Sequence, residues 1–255
     1  MTQAALAALL AALVAAVAYR VRALTIRGAF AAFGVGALVF GAGGWRAAAV
    51  LFAFFIPSTL FSRVGRARKR TLAGAREGPR SEWQVLANGG VAALCALASA
   101  YLGAPFGAAF AGAFAAASAD TWSTELGTLS RRPPVSILTL RPLVAGRSGG
   151  VTPLGTLATF GGALAVAAVA ALAGIAPFWG VALGGVAGAL LDSVLGASVQ
   201  ALRWCAACNV ECETRRHECG SITSLRRGVR WIENDGVNLA ATLCGAAVAA
   251  LASHW

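Results

Sequence analysis

The sequence predicts an all-α fold: a polytopic transmembrane helical bundle of about eight helices, with both termini outside and a polar site at the cytoplasmic side. Three observations predict it. Of the 255 residues, 58% are hydrophobic and only 12% charged, whereas a water-soluble surface needs about a quarter charged. Apolar runs recur along nearly the whole chain, many of them near the roughly 17 to 25 residues that a helix needs to cross about 30 Å of hydrocarbon. The basic residues fall in alternate connections between those runs.

Taken in order, the candidate spans are 4–18, 30–43, 47–61, 85–102, 105–118, 152–174, 178–199 and 237–252. The first has no positive residue before it and is followed by Tyr19, Arg20 and Arg22. A secretory signal carries its charge in front of the apolar stretch, so this run reads as a retained helix. The short spans require flanking residues, tilt or local thinning to cross. No separate soluble domain fits between the spans, so 1–255 reads as a single membrane domain with a cytoplasmic Cys-rich loop at 203–230.

Short cytoplasmic loops attract Lys and Arg. With the N-terminus outside, the inward loops are the first, third, fifth and seventh, and they carry three, seven, four and six basic residues, 20 of the 21. Arg46 alone falls on the other side. The net charge of +11 is thus a topology signal that also suits anionic headgroups. It argues for no nucleic-acid partner and leaves a nucleotide phosphate compatible.

The ten acidic residues can be read singly. Asp192 lies deep in an apolar span, where a carboxylate costs several kcal/mol unless paired, protonated or metal-bound. Ser118-Ala-Asp-Thr-Trp-Ser-Thr-Glu-Leu-Gly127 closes the fifth span. On a continuous helix Ser118, Thr121 and Glu125 share a face, and Asp120 points about 140° away from Glu125. Both acids clasp one ligand only if the helix bends or ends there. Glu233-Asn-Asp-Gly-Val-Asn238 opens the last span, where Asn234, Asp235 and Asn238 make one polar face and helix capping is an equal reading. Hard oxygen ligands from three places suit Mg²⁺, which shares its shell with water and phosphate oxygens.

Two further segments are polar. Arg141 to Gly155 leads straight into the sixth helix, with Arg147, Ser148, Gly149, Gly150 and Thr152. Glycines let backbone approach an anion, helix-start N–H groups point at it, and an Arg forks onto phosphate; a plain inter-helix loop is the rival. Arg80, Gln84 and Asn88 introduce the fourth helix, the two amides on one face, either touching substrate or joining helices. In the seventh connection Cys205, Cys208, His217 and Cys219 supply three sulfurs and an imidazole, a set suited to a structural Zn²⁺, with Cys212 as a possible substitute. A reducing cytoplasm argues against disulfides there.

The strings Gln84-Val-Leu-Ala-Asn-Gly-Gly90, Ser118-Ala-Asp-Thr-Trp-Ser-Thr-Glu-Leu-Gly127, Gly149-Gly-Val-Thr-x₂-Gly-Thr156 and Arg227-Gly-x₂-Trp-x₂-Asn-Asp-x-Val-Asn238 together resemble a family of integral membrane proteins. That family includes animal transmembrane protein nineteen and the plant and cyanobacterial phytyl-phosphate kinases. The resemblance covers nearly the full chain. It implies transfer of a phosphoryl group from a nucleoside triphosphate to an isoprenoid (polyprenyl) monophosphate. Asp120, Glu125, Asp192 and Asp235 would then hold Mg²⁺, and Arg147 with the Gly-Gly turn would cradle phosphates. A fainter likeness to membrane cytidylyltransferases and CTP-using lipid kinases favours CTP. The alternatives are cytidylyl transfer to a lipid phosphate and a lipid-phosphate flippase or carrier. The expected location is the bacterial inner (plasma) membrane. The oligomeric state is not legible.

Overall fold

The computed structural model describes residues 3–65, 69 and 78–253. Seven helices occur among them: α1 (Gln3–Arg20), α2 (Ile26–Phe61), α3 (Glu82–Leu102), α4 (Ala104–Gly127), α5 (Pro153–Leu172), α6 (Phe178–Ser198) and α7 (Asn234–Ala252). Six of these, all but α4, are long and apolar enough to cross a membrane. The mostly helical bundle matches the expected fold class. The tally differs because the second and third predicted spans lie in one element, α2. Inside it Gly44 leaves helical geometry at φ 59° and ψ −150°, a left-handed φ that glycine alone adopts without a Cβ clash. The chain then turns back on itself. Before the break, Gly36 packs on Ala11; after it, Ala48 packs with Ala7 and Phe40, and Phe55 with Ala15 and Ala18.

α4 is the hub. Every residue from Gly107 to Ala119 is buried, with α3, α5, α6 and α7 packed around it. Small residues permit this, since helices in lipid gain most from close backbone approach. A Cβ on Gly188 of α6 would collide with the Cβ of Ala116 on α4 and the carbonyl of Ala241 on α7. The phenyl rings of Phe110 and Phe114 meet edge-on and fill the wider gap toward α2, where Phe54 stacks on Phe114.

Outward-facing apolar side chains, such as Leu13, Leu157 and Leu183, form a surface that only lipid tails solvate well. Trp45, Tyr101 and Trp179 are exposed beside the turns at one end of the bundle, Trp83 and Trp231 at the other. Aromatic rings of this kind settle at the two headgroup levels. Trp83 and Tyr101 stand near the two ends of α3, 18 residues apart, which is about 27 Å of helix and matches the hydrocarbon thickness.

The connections at the Trp83 end hold the polar residues and the small strands. An arginine from the second connection, Arg63, donates to the Val21 carbonyl of the first. Arg80 exchanges backbone hydrogen bonds with Ala23 and Thr25. β1 (Val135–Ser136) pairs antiparallel with β2 (Gly150–Val151). The Cys-rich segment, expected as a loop, folds as an antiparallel sheet of β3 (Leu202–Cys205) between β4 (Val210–Cys212) and β5 (Ser224–Arg227). Arg66, Arg68, Arg70, Arg76 and Glu77 of the basic connection lie outside the described residues.

Candidate functional site

A polar cavity of about 870 Å³ opens among the basic connections. α3, α4, α6 and α7 each send polar side chains into it. The four polar segments singled out in the sequence meet here: Arg80, Gln84 and Asn88 from the start of α3, Asp120 and Glu125 from α4, the turn Arg147 to Gly150 with Thr152, and Asn234 and Asn238 from α7. Asp192 of α6 completes the wall.

The carboxylates do not form the single four-ligand cluster that was expected. Asp120 and Asp192 face each other across the α4–α6 contact within hydrogen-bond reach. α4 runs unbroken to Gly127, so Glu125 lines the cavity apart from this pair and takes the Lys69 ammonium at 2.5 Å. Asp235 sits in the first turn of α7, where its charge favours the helix N-terminus, and it does not line the cavity. Ser118, two residues before Asp120, is fully buried and likewise not on the wall. Among the described residues no group of three carboxylates shares one coordination sphere there.

The remaining pair is still a chemical oddity. The Oδ2 atom of Asp192 is buried with no hydrogen-bond partner among the described residues. Two acids in contact at membrane depth hold together only if they share a proton or a cation. With one or two carboxylates and the rest of its shell from water and phosphate, Mg²⁺ suits this donor set.

Several predicted contact residues turn out to hold the scaffold as well. Ser81 and Gln84 form a capping box, the Ser81 N–H donating to Gln84 Oε1 at 3.0 Å. Asn88 Nδ2 donates to the Gln84 carbonyl at 3.0 Å. Thr152 caps α5 through Gly155 N–H and donates to the Gly127 carbonyl at 3.4 Å, tying the end of α4 to the start of α5. In the glycine turn, Gly149 takes φ 77° against the backbone of Ala197, a place for no side chain. The amides of this turn are not all open to an anion. Ser148 N–H and hydroxyl donate to the Glu213 carboxylate at 2.9 and 2.8 Å, Gly150 N–H closes on the Arg147 carbonyl, and Arg147 pairs with Glu211 at 3.0 Å.

Lys69, Arg63 and Glu213 also reach the cavity. No sequence signal marked them as site residues, because each also meets a residue dozens of positions away: Lys69 meets Glu125, Arg63 meets Val21 and Glu213 meets Ser148. Burial lowers the pKa of Arg80 while the charge of Glu125 opposes that shift; its guanidinium donates to the Ser58 carbonyl at 3.3 Å. Arg80, Gln84 and Asn88 also line a second, apolar cavity of about 130 Å³ between α1, α2 and α3.

The cysteine set is compact. Cys205, Cys208, His217 and Cys219 place their ligand atoms all within 4.8 Å of one another. Cys212 stays apart, its sulfur 3.8 Å from the Thr214 carbonyl. Hydrogen bonds from Ser221, then His217, push the Cys219 thiol down to about 5, while the hydrogen bond with Cys219 pushes its neighbour Cys208 up to about 11.

Fold and site together describe an integral membrane helical bundle with a polar cavity at one end. The chain belongs to the integral membrane protein DUF92 family, whose model matches residues 9–246. It is 31% identical to Protein PGR of Arabidopsis thaliana over 97% of this chain and 95% of that protein. It is also 31% identical to an uncharacterized membrane protein of Synechocystis, over 65% of this chain and 68% of the relative. A third relative, an uncharacterized membrane protein of Methanocaldococcus jannaschii, is 30% identical over 82% and 76% of the two chains. No solved structure matches.

Proposed function

We propose that this chain is a membrane-embedded, Mg²⁺-dependent phosphotransferase that converts a polyprenyl monophosphate to its diphosphate at the expense of a nucleoside triphosphate. The observation that carries this reading is the shared wall: Arg80, Gln84 and Asn88 border both the polar cavity and the apolar one beside it. A lipid phosphate is the ligand with matching halves. Its headgroup sits among cations and carboxylates, and its tail runs from there between α1, α2 and α3.

In the transfer an oxygen of the prenyl phosphate attacks the terminal phosphorus of the nucleotide. The bond between that phosphorus and the bridging oxygen breaks, and a nucleoside diphosphate leaves. The nucleophile is already anionic near neutral pH, so positioning and charge neutralisation do most of the work. Lys69, Arg80 and Arg147 hold and orient phosphate oxygens. Asp120 and Asp192 would bind Mg²⁺, which when present offsets phosphate charge. Asn234 and Asn238 offer neutral donors to the nucleotide or the headgroup. CTP is the favoured donor, on the likeness to membrane cytidylyltransferases and CTP-using lipid kinases alone. The cavity then faces the cytoplasm, where nucleotides are, from a bacterial inner membrane.

The test uses protein in lipid with Mg²⁺, phytyl or geranylgeranyl monophosphate, and each of CTP, ATP, GTP and UTP, with lipid products read by mass spectrometry. A prenyl diphosphate is expected. A cytidylylated lipid would move the assignment to nucleotidyl transfer, and no product from folded protein would move it to binding or transport.

A further inference from the structure

We propose that Cys205, Cys208, His217 and Cys219 bind one Zn²⁺ and that this ion, by fixing the β3–β4 hairpin, holds the glycine turn of the polar cavity in place. The first half rests on distances. Tetrahedral zinc, with Zn–S of about 2.3 Å and Zn–N of about 2.0 to 2.1 Å, sets its ligand atoms about 3.8 Å apart for two sulfurs and about 3.6 Å for sulfur and nitrogen. Cys205 and Cys219 sulfurs are 3.6 Å apart, and His217 Nδ1 is 3.3 Å from the Cys219 sulfur. These are the edges of such a tetrahedron.

The ligands come from two tight turns, one closed by Asn209 N–H on the Cys205 carbonyl and the other by Gly220 N–H on that of His217. The four atoms converge although half of them are on exposed residues, Cys208 and Cys219. Burial of apolar surface therefore does not account for the arrangement. The donor set closes the coordination shell, so the ion is structural rather than catalytic.

The second half follows from what the hairpin carries. Glu211 and Glu213 flank Cys212 on and just after β4. Glu211 pairs with Arg147 at 3.0 Å, and Glu213 takes both donors of Ser148, with Gln200 Nε2 donating to the same carboxylate at 2.8 Å. These bonds fasten the turn from residue 147 to 150 to a small sheet that has little apolar core of its own. A small sheet of this kind gains rigidity from a metal that closes its turns.

Full-length protein purified in detergent is expected to hold about one zinc per chain by plasma mass spectrometry. Exchange for Co²⁺ should give a thiolate-to-metal charge-transfer band and strong tetrahedral visible bands. Cys208→Ser, at an exposed position, should lose the metal while the helical circular dichroism stays. Hydrogen–deuterium exchange at residues 146–150 should speed up at least tenfold when zinc is chelated. Glu213→Gln should give the same acceleration with zinc retained. Less than half a zinc per chain, or a full complement in Cys208→Ser, overturns the site. Zinc at full stoichiometry with unchanged exchange after chelation overturns the coupling. None of these readings involves nucleotide or turnover, so they stand apart from the phosphotransfer proposal.

Discussion

Asp192 is where single-residue physics bears hardest on function, since its buried Oδ2 lacks a hydrogen-bond partner among the described residues and it faces a second acid, Asp120. Asp120→Asn and Asp192→Asn are each expected to lower turnover at least about a hundredfold, the scale of removing one preorganised electrostatic partner. Both variants should elute from gel filtration in detergent as the parent does, because Asn keeps shape and hydrogen-bonding capacity. Retained activity in both would remove the metal-binding role from the pair. Lys69 makes a different prediction. Lys69→Met removes the ammonium that pairs with Glu125 and a cation from the cavity, and kcat/KM for the nucleotide should fall about tenfold or more, with Lys69→Arg recovering part of it. A parent-like kcat/KM in Lys69→Met would show that its ammonium serves only to hold Glu125.

Among the elements, the α4–α6–α7 contact is built on the absence of side chains. Gly188→Leu inserts four carbons where a single Cβ already meets Ala116 and Ala241, and overpacking of this kind costs about 1 to 3 kcal/mol. The melting temperature in detergent should drop by several degrees and turnover should fall with it, as α6 carries Asp192 and α4 carries Asp120. Gly34, beside which an added Cβ meets nothing within 4 Å, is the control position, and Gly34→Leu should leave both quantities near parent values.

For the whole molecule the prediction is one of sidedness. Alkaline phosphatase fused after Gly103 should be active from the periplasm, and the same reporter fused after Ser130 should be inactive, since that end bears the basic connections. Reversed activities would put the polar cavity outside and remove the cytoplasmic nucleotide from the proposal. Much of this scale was legible in the amino-acid order. Apolar run length marks membrane helices directly, because hydrocarbon thickness sets how many residues must be apolar. The separation of the second and third spans was legible only as two runs. In the folded chain one left-handed glycine divides them, and the element is otherwise continuous.

The candidate site was legible in part, for a reason visible in particular residues. Asp192 stands out in any reading because charge in an apolar run is costly wherever the helix packs. Glu125 and Asp235 were weaker candidates, at the edges of spans, and one is neutralised by Lys69 while the other stands at a helix start off the cavity. Gln84 and Thr152 look like ligand contacts and serve as caps. Local order alone therefore determined the membrane class, the spans and the list of polar segments, through periodicities and transfer energies that act within about twenty residues. Only the tertiary structure decided which carboxylates face each other, that Lys69, Arg63 and Glu213 join the cavity, and that Glu211 and Glu213 tie the cysteine sheet to Arg147 and Ser148. Those pairings join residues tens of positions apart, and they are set by the angles at which helices pack through their small side chains, which no local pattern records.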